Sequence, residues 1–305
     1  LNNLLILTGP TGIGKTEISL DIAEKFNCEI ISADSMQIYR GMDIGTAKLN
    51  LCSTNIQHHL IDIVNPDEEF SVSMFQDKCK KTISNIQEKN KLPLIVGGTG
   101  LYINSIVYNL NFQNTSKDLE YRNYLESLVE TNGLDSLYEQ LVKADKNLAE
   151  TIDKNNKNRI IRALEILKSS KSKEVSRFRE ENSEYNLLYI GLNMERENLY
   201  KKINERVEQM MDNGLVQETK KLLDLGYSRD LNSFKAIGYR EIISYLYNEI
   251  TLDEAIELIK KNSRHYAKRQ LTWFRRDERI VWFDREEEDL EYKLMKLIGE
   301  KFGNI

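Results

Sequence analysis

The octapeptide Gly9-Pro10-Thr11-Gly12-Ile13-Gly14-Lys15-Thr16 fits the pattern G-x-x-x-x-G-K-[ST]. It lies between the apolar run 4–7 and a stretch in which Ile18, Ile22, Ala23 and Phe26 recur at spacings of three and four. A strand, a glycine loop and a helix in that order form a phosphate cradle. The glycines let backbone amides wrap a phosphate, and the helix start adds unpaired N–H groups and the positive end of its dipole. Lys15 supplies a point charge and the Thr16 hydroxyl suits Mg²⁺. The bland alternative is a glycine turn that caps a helix. The cradle does not say which molecule carries the phosphate. ATP is the commonest cargo, but no N/T-K-x-D guanine reader follows, and no Mg²⁺ aspartate is clear beyond Asp34 and Asp62. The diphosphate of another donor is equally open.

The rest of the chain extends the strand-helix alternation. Residues 29–32, 60–64, 94–96, 187–192 and 280–283 are further strand candidates, without period-two alternation, as expected of strands covered on both faces. The expected fold is α/β: a P-loop NTPase-like parallel sheet core with a helical insertion domain. The core takes residues 1–113 and 185–305. The insertion takes 114–184, where apolar residues recur only at helical spacing, as in Leu134, Leu137, Tyr138 and Leu141. The polar stretch 168–184 reads as a mobile loop.

With 40% hydrophobic and 30% charged residues among 305, a packed core is expected and wholesale disorder is not. No apolar run is long enough for a membrane helix. Scattered Cys28, Cys52 and Cys79 fit reduced thiols and a cytoplasmic location. His58 and His59 read as structural, and the absence of a Cys/His cluster argues against zinc. The net charge of −5 hides a local exception: Lys260, Lys261, Arg264, Lys268, Arg269, Arg275 and Arg276 occur in one stretch with no Asp or Glu. Such a stripe points to a polyanion. Tyr266, Trp273 and Phe274 interleave with it and read mainly as core anchors, with the charges facing RNA. A solvated helix face is the alternative.

Asp34 follows the second strand, in Ala33-Asp34-Ser35-Met36-Gln37-Ile38-Tyr39-Arg40, and Thr99 follows another, in Gly97-Gly98-Thr99-Gly100. Parallel sheets bind ligands at the carboxyl ends of their strands, so both share the rim of the cradle. Asp34 is equally readable as an acid beside the ligand or as a helix N-cap.

At these residues the chain resembles the tRNA dimethylallyltransferases, also called tRNA isopentenyltransferases. The matching segments are GPTGIGKT, DSMQIYRGMDIGTAK, HHLIDIVNP, LPLIVGGTGLY, NRIIRALEI, INERVEQMMDNGLVQE, KAIGYREI and RHYAKRQLTWFRR, in order from residue 9 to 276. The resemblance implies transfer of a dimethylallyl group from dimethylallyl diphosphate to N6 of the adenine 3′ of the anticodon in tRNA, with Mg²⁺ and release of diphosphate. It implies that Gly9 to Thr16 hold the diphosphate, that Asp34 takes the amine proton and that Thr99 hydrogen-bonds the bridging oxygen. Expected tRNA contacts are Asp34, Ser35, Met36, Gln37, Thr99, Arg122, Asn158, Arg159, Ile160, Ile161, Arg162, Lys235, Ala236, Ile237, Gly238, Tyr239, Arg240, Arg264, Lys268, Arg269, Gln270 and Arg275. A monomer is expected. The chain departs from the family at Gly12 and Ile13, at Lys146 after Asp145 where Pro is usual, and in lacking Gly and Pro over 168–178. Other readings are a P-loop small-molecule kinase, a prenyltransferase acting on free adenylate, and a non-catalytic RNA-binding protein with a vestigial cradle.

Overall fold

The structure, a computed structural model, describes residues 2–108, 110, 118–168 and 180–303. Two compact units result: Leu1–Val107 with Asn182–Ile305, and Tyr108–Glu181.

The larger unit is built on six parallel strands, β1 (Asn2–Thr8), β2 (Cys28–Ser32), β3 (His58–His59), β4 (Leu92–Gly97), β5 (Tyr185–Asn193) and β6 (Ile280–Asp284). Their order is β3-β2-β4-β1-β5-β6. On one face Leu5, Leu7, Leu94 and Ile190 share a core with Ile18 and Ile22 of α1 (Lys15–Lys25) and Leu294 and Ile298 of the final helix, Leu290–Phe302. The alternate residues Leu4, Ile6 and Ile95 are fully buried too. From that second side α2 (Val72–Glu88) packs on β2, β4 and α3 (Gly100–Val107). Burial on both faces explains the unbroken apolar runs.

The third strand departs from expectation. Residues 60–64 are not a strand, because Leu60 and Asp62 hold left-handed backbone, φ 60° and 54°. An extended ladder cannot contain such residues. The strand is the two histidines before them, and Leu60 and Val64 are buried from a loop instead.

The smaller unit holds α4 (Leu119–Ala144, broken at Gly133), α5 (Lys146–Glu150) and α6 (Lys157–Lys168) around Leu125, Leu137, Leu141, Ile160, Ile161 and Leu164. Lys146 takes the first helical position that a proline would suit, and Asp145 caps the turn by accepting the Leu148 amide at 2.9 Å. The chain rejoins the larger unit at Asn182, whose amide donates to the Val107 carbonyl at 3.0 Å and whose side chain donates to the Ile106 carbonyl at 3.1 Å, both at the end of α3. The expected loop at 168–184 falls largely on residues 169–179, outside the described residues.

Four further helices complete the larger unit: α7 (Arg196–Asp212), α8 (Leu215–Asp224), α9 (Tyr239–Leu246) and α10 (Leu252–Phe274). Together with the segment 36–64 they bury a second core around Ile38, Met42, Val207, Leu215, Phe234, Tyr239 and Ile259.

At the sheet edge, Glu29 is buried among His59 at 2.8 Å, Lys89 at 3.0 Å and Lys91 at 3.0 Å. Burial alone pushes this carboxyl up. Hydrogen bonds from His59, Lys89 and Lys91 outweigh it and hold the group at about 2, below its ordinary 4.5. A depressed carboxyl contributes stability above its unfolded value and loses it as pH falls through the folded one. Wild-type stability is therefore expected to decline between pH 4.5 and about 2, the unfolded and folded values of Glu29. Urea unfolding across that window should show a shallower decline for Glu29→Gln, which is less stable at neutral pH.

Candidate active site

The carboxyl ends of β1, β2, β4, β5 and β6 meet on one rim. Gly14 opens α1 with φ 89°, a left-handed conformation that a side chain would strain. The Lys15 ammonium folds back on the loop and donates to the carbonyls of Gly9 and Pro10, both at 2.9 Å. Burial, and then the Arg206 guanidinium, pull Lys15 down to about 7 against the opposing effect of Asp34. Arg206 itself donates to the Thr11 hydroxyl at 2.8 Å, while its buried Nε has no partner. Two cations thus stand together over an anion-binding loop.

Gln270 of α10 ties this loop to the next strand. Its Oε1 accepts the Thr11 amide at 2.8 Å and its Nε2 donates to the Gly98 carbonyl at 2.9 Å. Gly98 has to be glycine here, since a Cβ would stand 2.1 Å from that Nε2. Gln270 is buried and so holds the loop from within; it does not offer its side chain to RNA.

Asp34 does not cap a helix. Its Oδ1 accepts the Met36 amide at 2.9 Å in a turn after β2. The Thr99 Oγ1 accepts the Ser35 amide at 3.0 Å and donates to the Ser35 hydroxyl at 3.3 Å, which joins the ends of β2 and β4. The Tyr266 side chain hydrogen-bonds those of Thr99 and Gln270, and burial pushes its phenol up to about 12. It therefore keeps its proton at neutral pH.

Two cavities flank these residues. One, of about 660 Å³, is lined by Thr11, Gly12, Gly14, Lys15, Thr16, Arg206 and Arg285. The other, of about 440 Å³, is lined by Ser35, Met36, Ile237, Arg240, Asn262 and Arg269. Thr11, Asp34, Thr46, Arg206 and Tyr266 line both. Thr99 lines neither and stands behind Ser35 and Tyr266. Gln37 faces the larger cavity and Lys235 and Ala236 the smaller.

Several expected RNA contacts are placed elsewhere by packing. Ile160 and Ile161 are fully buried in the insertion core, so only Asn158, Arg159 and Arg162 of that segment are outward. Arg122 and Arg162 share the buried Glu165, at 3.3 and 3.1 Å. Tyr239 is fully buried. The basic stripe is not uniformly free either: Lys260 pairs with Glu208 at 2.5 Å and Glu257 at 2.9 Å, and Arg264 donates to Asn204 at 2.6 Å. Acids from a neighbouring helix and from the preceding turn of α10 meet charges that the linear stretch leaves unpaired. Lys261, Lys268, Arg275 and Arg276 remain exposed. Of the three rings, Phe274 is core and Trp273 packs on Gly100, but Tyr266 is a cavity wall.

Sequence reading passed over Arg206 and Glu218. Arg206 interrupts the buried stripe Ile203, Val207, Met210 of α7, and a charge on an apolar face was the available signal. Glu218 left no such trace. Its carboxylate accepts the amides of Asp43 at 3.0 Å, Ile44 at 2.9 Å and Gly45 at 3.3 Å, and the Tyr239 hydroxyl. It thereby fixes the loop that carries Thr46 into both cavity walls.

Comparison with known proteins bears on this geometry. The profile of the IPP transferase family matches residues 37–277, and that of isopentenyl transferases residues 2–55. A tRNA dimethylallyltransferase of Halalkalibacterium halodurans is 48% identical over 298 residues, 96% of this chain and 95% of its own length. The crystal structure of a full-length tRNA isopentenylpyrophosphate transferase from Bacillus halodurans superposes with a TM-score of 0.75 at 45% identity, over 99% of this chain and 97% of that one. A eukaryotic dimethylallyltransferase, in structures of it acting on tRNA, gives a TM-score of 0.83 at 27% identity, over 97% of this chain and 78% of its own.

The Glu218 clamp leads to a measurable expectation. Glu218→Ala leaves backbone donors without their charged acceptor and is expected to cost about 2–3 kcal/mol of stability. Urea denaturation checks this, with Glu218→Gln losing less because its amide oxygen still accepts.

Proposed function

Since the chain belongs to the IPP transferase family, we propose that it transfers the dimethylallyl group of dimethylallyl diphosphate to N6 of the adenine 3′ of the anticodon in tRNA. The observation that carries this reading is the position of Asp34 on the wall common to two cavities. The larger, with Lys15, Arg206 and the loop amides, suits a diphosphate. The smaller, with apolar Met36 and Ile237 beside polar Asn262 and Arg269, suits a base flipped from its stack.

An adenine amine is a poor nucleophile because its lone pair is delocalised into the ring. Asp34 accepts one N6 proton as N6 bonds to the allylic carbon. The bond from that carbon to the bridging oxygen breaks, and its electron pair leaves with the diphosphate. Lys15, Arg206 and the loop amides meet the developing charge. Thr99, which lines neither cavity, holds Ser35 and Tyr266 on the walls that receive the substrates, and its hydroxyl reaches the bridging oxygen only by leaving them.

Mg²⁺ fits this site as a companion of the substrate. Thr16 stands exposed at the start of α1 and would offer its hydroxyl to the ion beside the diphosphate. When bound, the ion neutralises charge on the leaving group. For tRNA, exposed Lys268, Arg275, Asn158 and Arg159 supply backbone contacts, with Lys235 and Arg240 at the mouth of the smaller cavity. The proposed working unit is a monomer. The proposed location is the cytoplasm, and no described helix is long and apolar enough to cross a membrane.

Lys15 makes donor binding depend on pH. The free ammonium titrates at about 7, and a bound diphosphate favours the charged form and raises that value. Affinity should be full below that pH and fall by up to about tenfold per unit above it. Calorimetry at pH 7 in buffers of differing ionisation enthalpy should register proton uptake that Lys15→Arg, which retains charge without titrating, reduces.

The decisive test uses labelled dimethylallyl diphosphate with Mg²⁺ and unmodified tRNA, adenylate or no acceptor. Label is expected on tRNA alone; label on adenylate, or none anywhere, overturns the assignment. In Asp34→Asn, donor and tRNA should still bind, while single-turnover transfer slows by roughly 10²- to 10⁴-fold. A rate within a few-fold of wild type removes Asp34 as the base.

A further inference from the structure

Arg285 stands one residue beyond β6, where its amide donates to the Asn193 carbonyl at 2.7 Å. Its side chain leads back over the cradle. The Nε lies 3.2 Å from the point where a Cβ on Gly14 would sit, so the guanidinium rests against the glycine that opens α1. It lines the same cavity as Lys15 and Thr16. The Nη2 donates at 2.6 Å to Glu17, a carboxylate in the first turn of α1 that is 73% exposed. The Nε is buried and has no hydrogen-bond partner.

A bond to an exposed carboxylate is worth little, and it does not account for the buried Nε. Sealing an N–H from water without an acceptor is unfavourable, so the arrangement is incomplete as it stands. The open space beside the guanidinium is the cavity that it lines with Lys15 and Thr16. That space is the cradle itself, and the ligand that enters it carries phosphate oxygens. Other charged groups on the cavity wall are Lys202 and Glu205 of α7, Arg206, Asp34 and Lys15. None of them pairs with Arg285, so among the described residues Glu17 is its direct competitor for an anion.

We infer that Arg285 is a further ligand of the donor's diphosphate, held in reserve by Glu17 and released to the terminal phosphate when the donor binds. The inference deepens the function proposed above and rests on its reading of the cradle. A guanidinium offers paired N–H groups in a plane that matches two oxygens of one phosphate. A diphosphate of multiple negative charge outcompetes a single exposed carboxylate. Lys15 then grips the phosphate from inside the loop and Arg285 from the solvent side of Gly14. Glu17 opposes binding, because it has to be displaced.

Calorimetric titration of the intact chain with magnesium pyrophosphate tests this through effects of opposite sign. Arg285→Ala should weaken binding by about tenfold or more, and Arg285→Lys by less. Glu17→Gln should tighten it by a few-fold. Lys15→Ala serves as the control for the cradle, and melting temperatures verify folding. Wild-type binding that Lys15→Ala abolishes but Arg285→Ala leaves intact overturns the inference and spares the cradle. Equal weakening in Arg285→Ala and Glu17→Gln means that the pair only orders α1, and also overturns it. If wild type binds no pyrophosphate, the cradle reading fails and the inference falls with it.

Discussion

One buried side chain makes the rim a site. The two halves of the Gln270 amide satisfy the Thr11 N–H and the Gly98 carbonyl, groups that belong to loops after two adjacent strands. A buried polar group without a partner is costly, so both loops are obliged to meet α10 where Gln270 stands. α10 also carries Tyr266 and Arg269 into the cavity walls. The position of the smaller cavity's wall relative to the glycine loop therefore depends on one neutral amide. A carboxylate there could accept from Thr11 but would repel the Gly98 oxygen.

The electrostatics of the rim bring two like charges together. Burial and then Arg206 disfavour the charge of Lys15, and Lys15 spends its hydrogen bonds on the carbonyls of its own loop. Asp34 relieves this in part. An arrangement of that kind is locally unfavourable and is tolerated because the surrounding fold is deep: the strand before the loop is buried on both sides and Ile13 within the loop is itself core. An entering polyanion resolves the conflict, so part of the binding energy is relief of repulsion already present.

The fold was legible where one face or one period dominated. The strands read correctly because continuous apolar runs reflect burial on both faces. The exception, 60–64, has the composition of a strand but the backbone of a loop; left-handed Leu60 and Asp62 carry no local cue, since neither is glycine or asparagine. The cradle was legible because its chemistry is local and needs glycine at set positions. The other side of the site was not. Glu218 acts across 175 positions of sequence and Gln270 across 259, and nothing in the linear order announces either contact. The basic stripe misled for the same reason, as Glu208 of another helix pairs with Lys260. Ile160 and Ile161 stood among the expected RNA contacts, yet both build the insertion core.

Gly12, a departure from the usual residue at that place, holds left-handed backbone at φ 81° and also has a close neighbour. A Cβ there would lie 2.8 Å from Cγ1 of Ile203, a residue of α7 that also packs into the main core. The loop and the helix thus share one small volume, which here is filled from the helix side. Positions 12 and 203 are expected to covary among relatives: a lineage that gains a methyl in the loop has to give up bulk on the helix. Such a pair records a historical choice about which side of a contact supplies the atoms, and it limits how freely the loop of one relative can be transplanted into another.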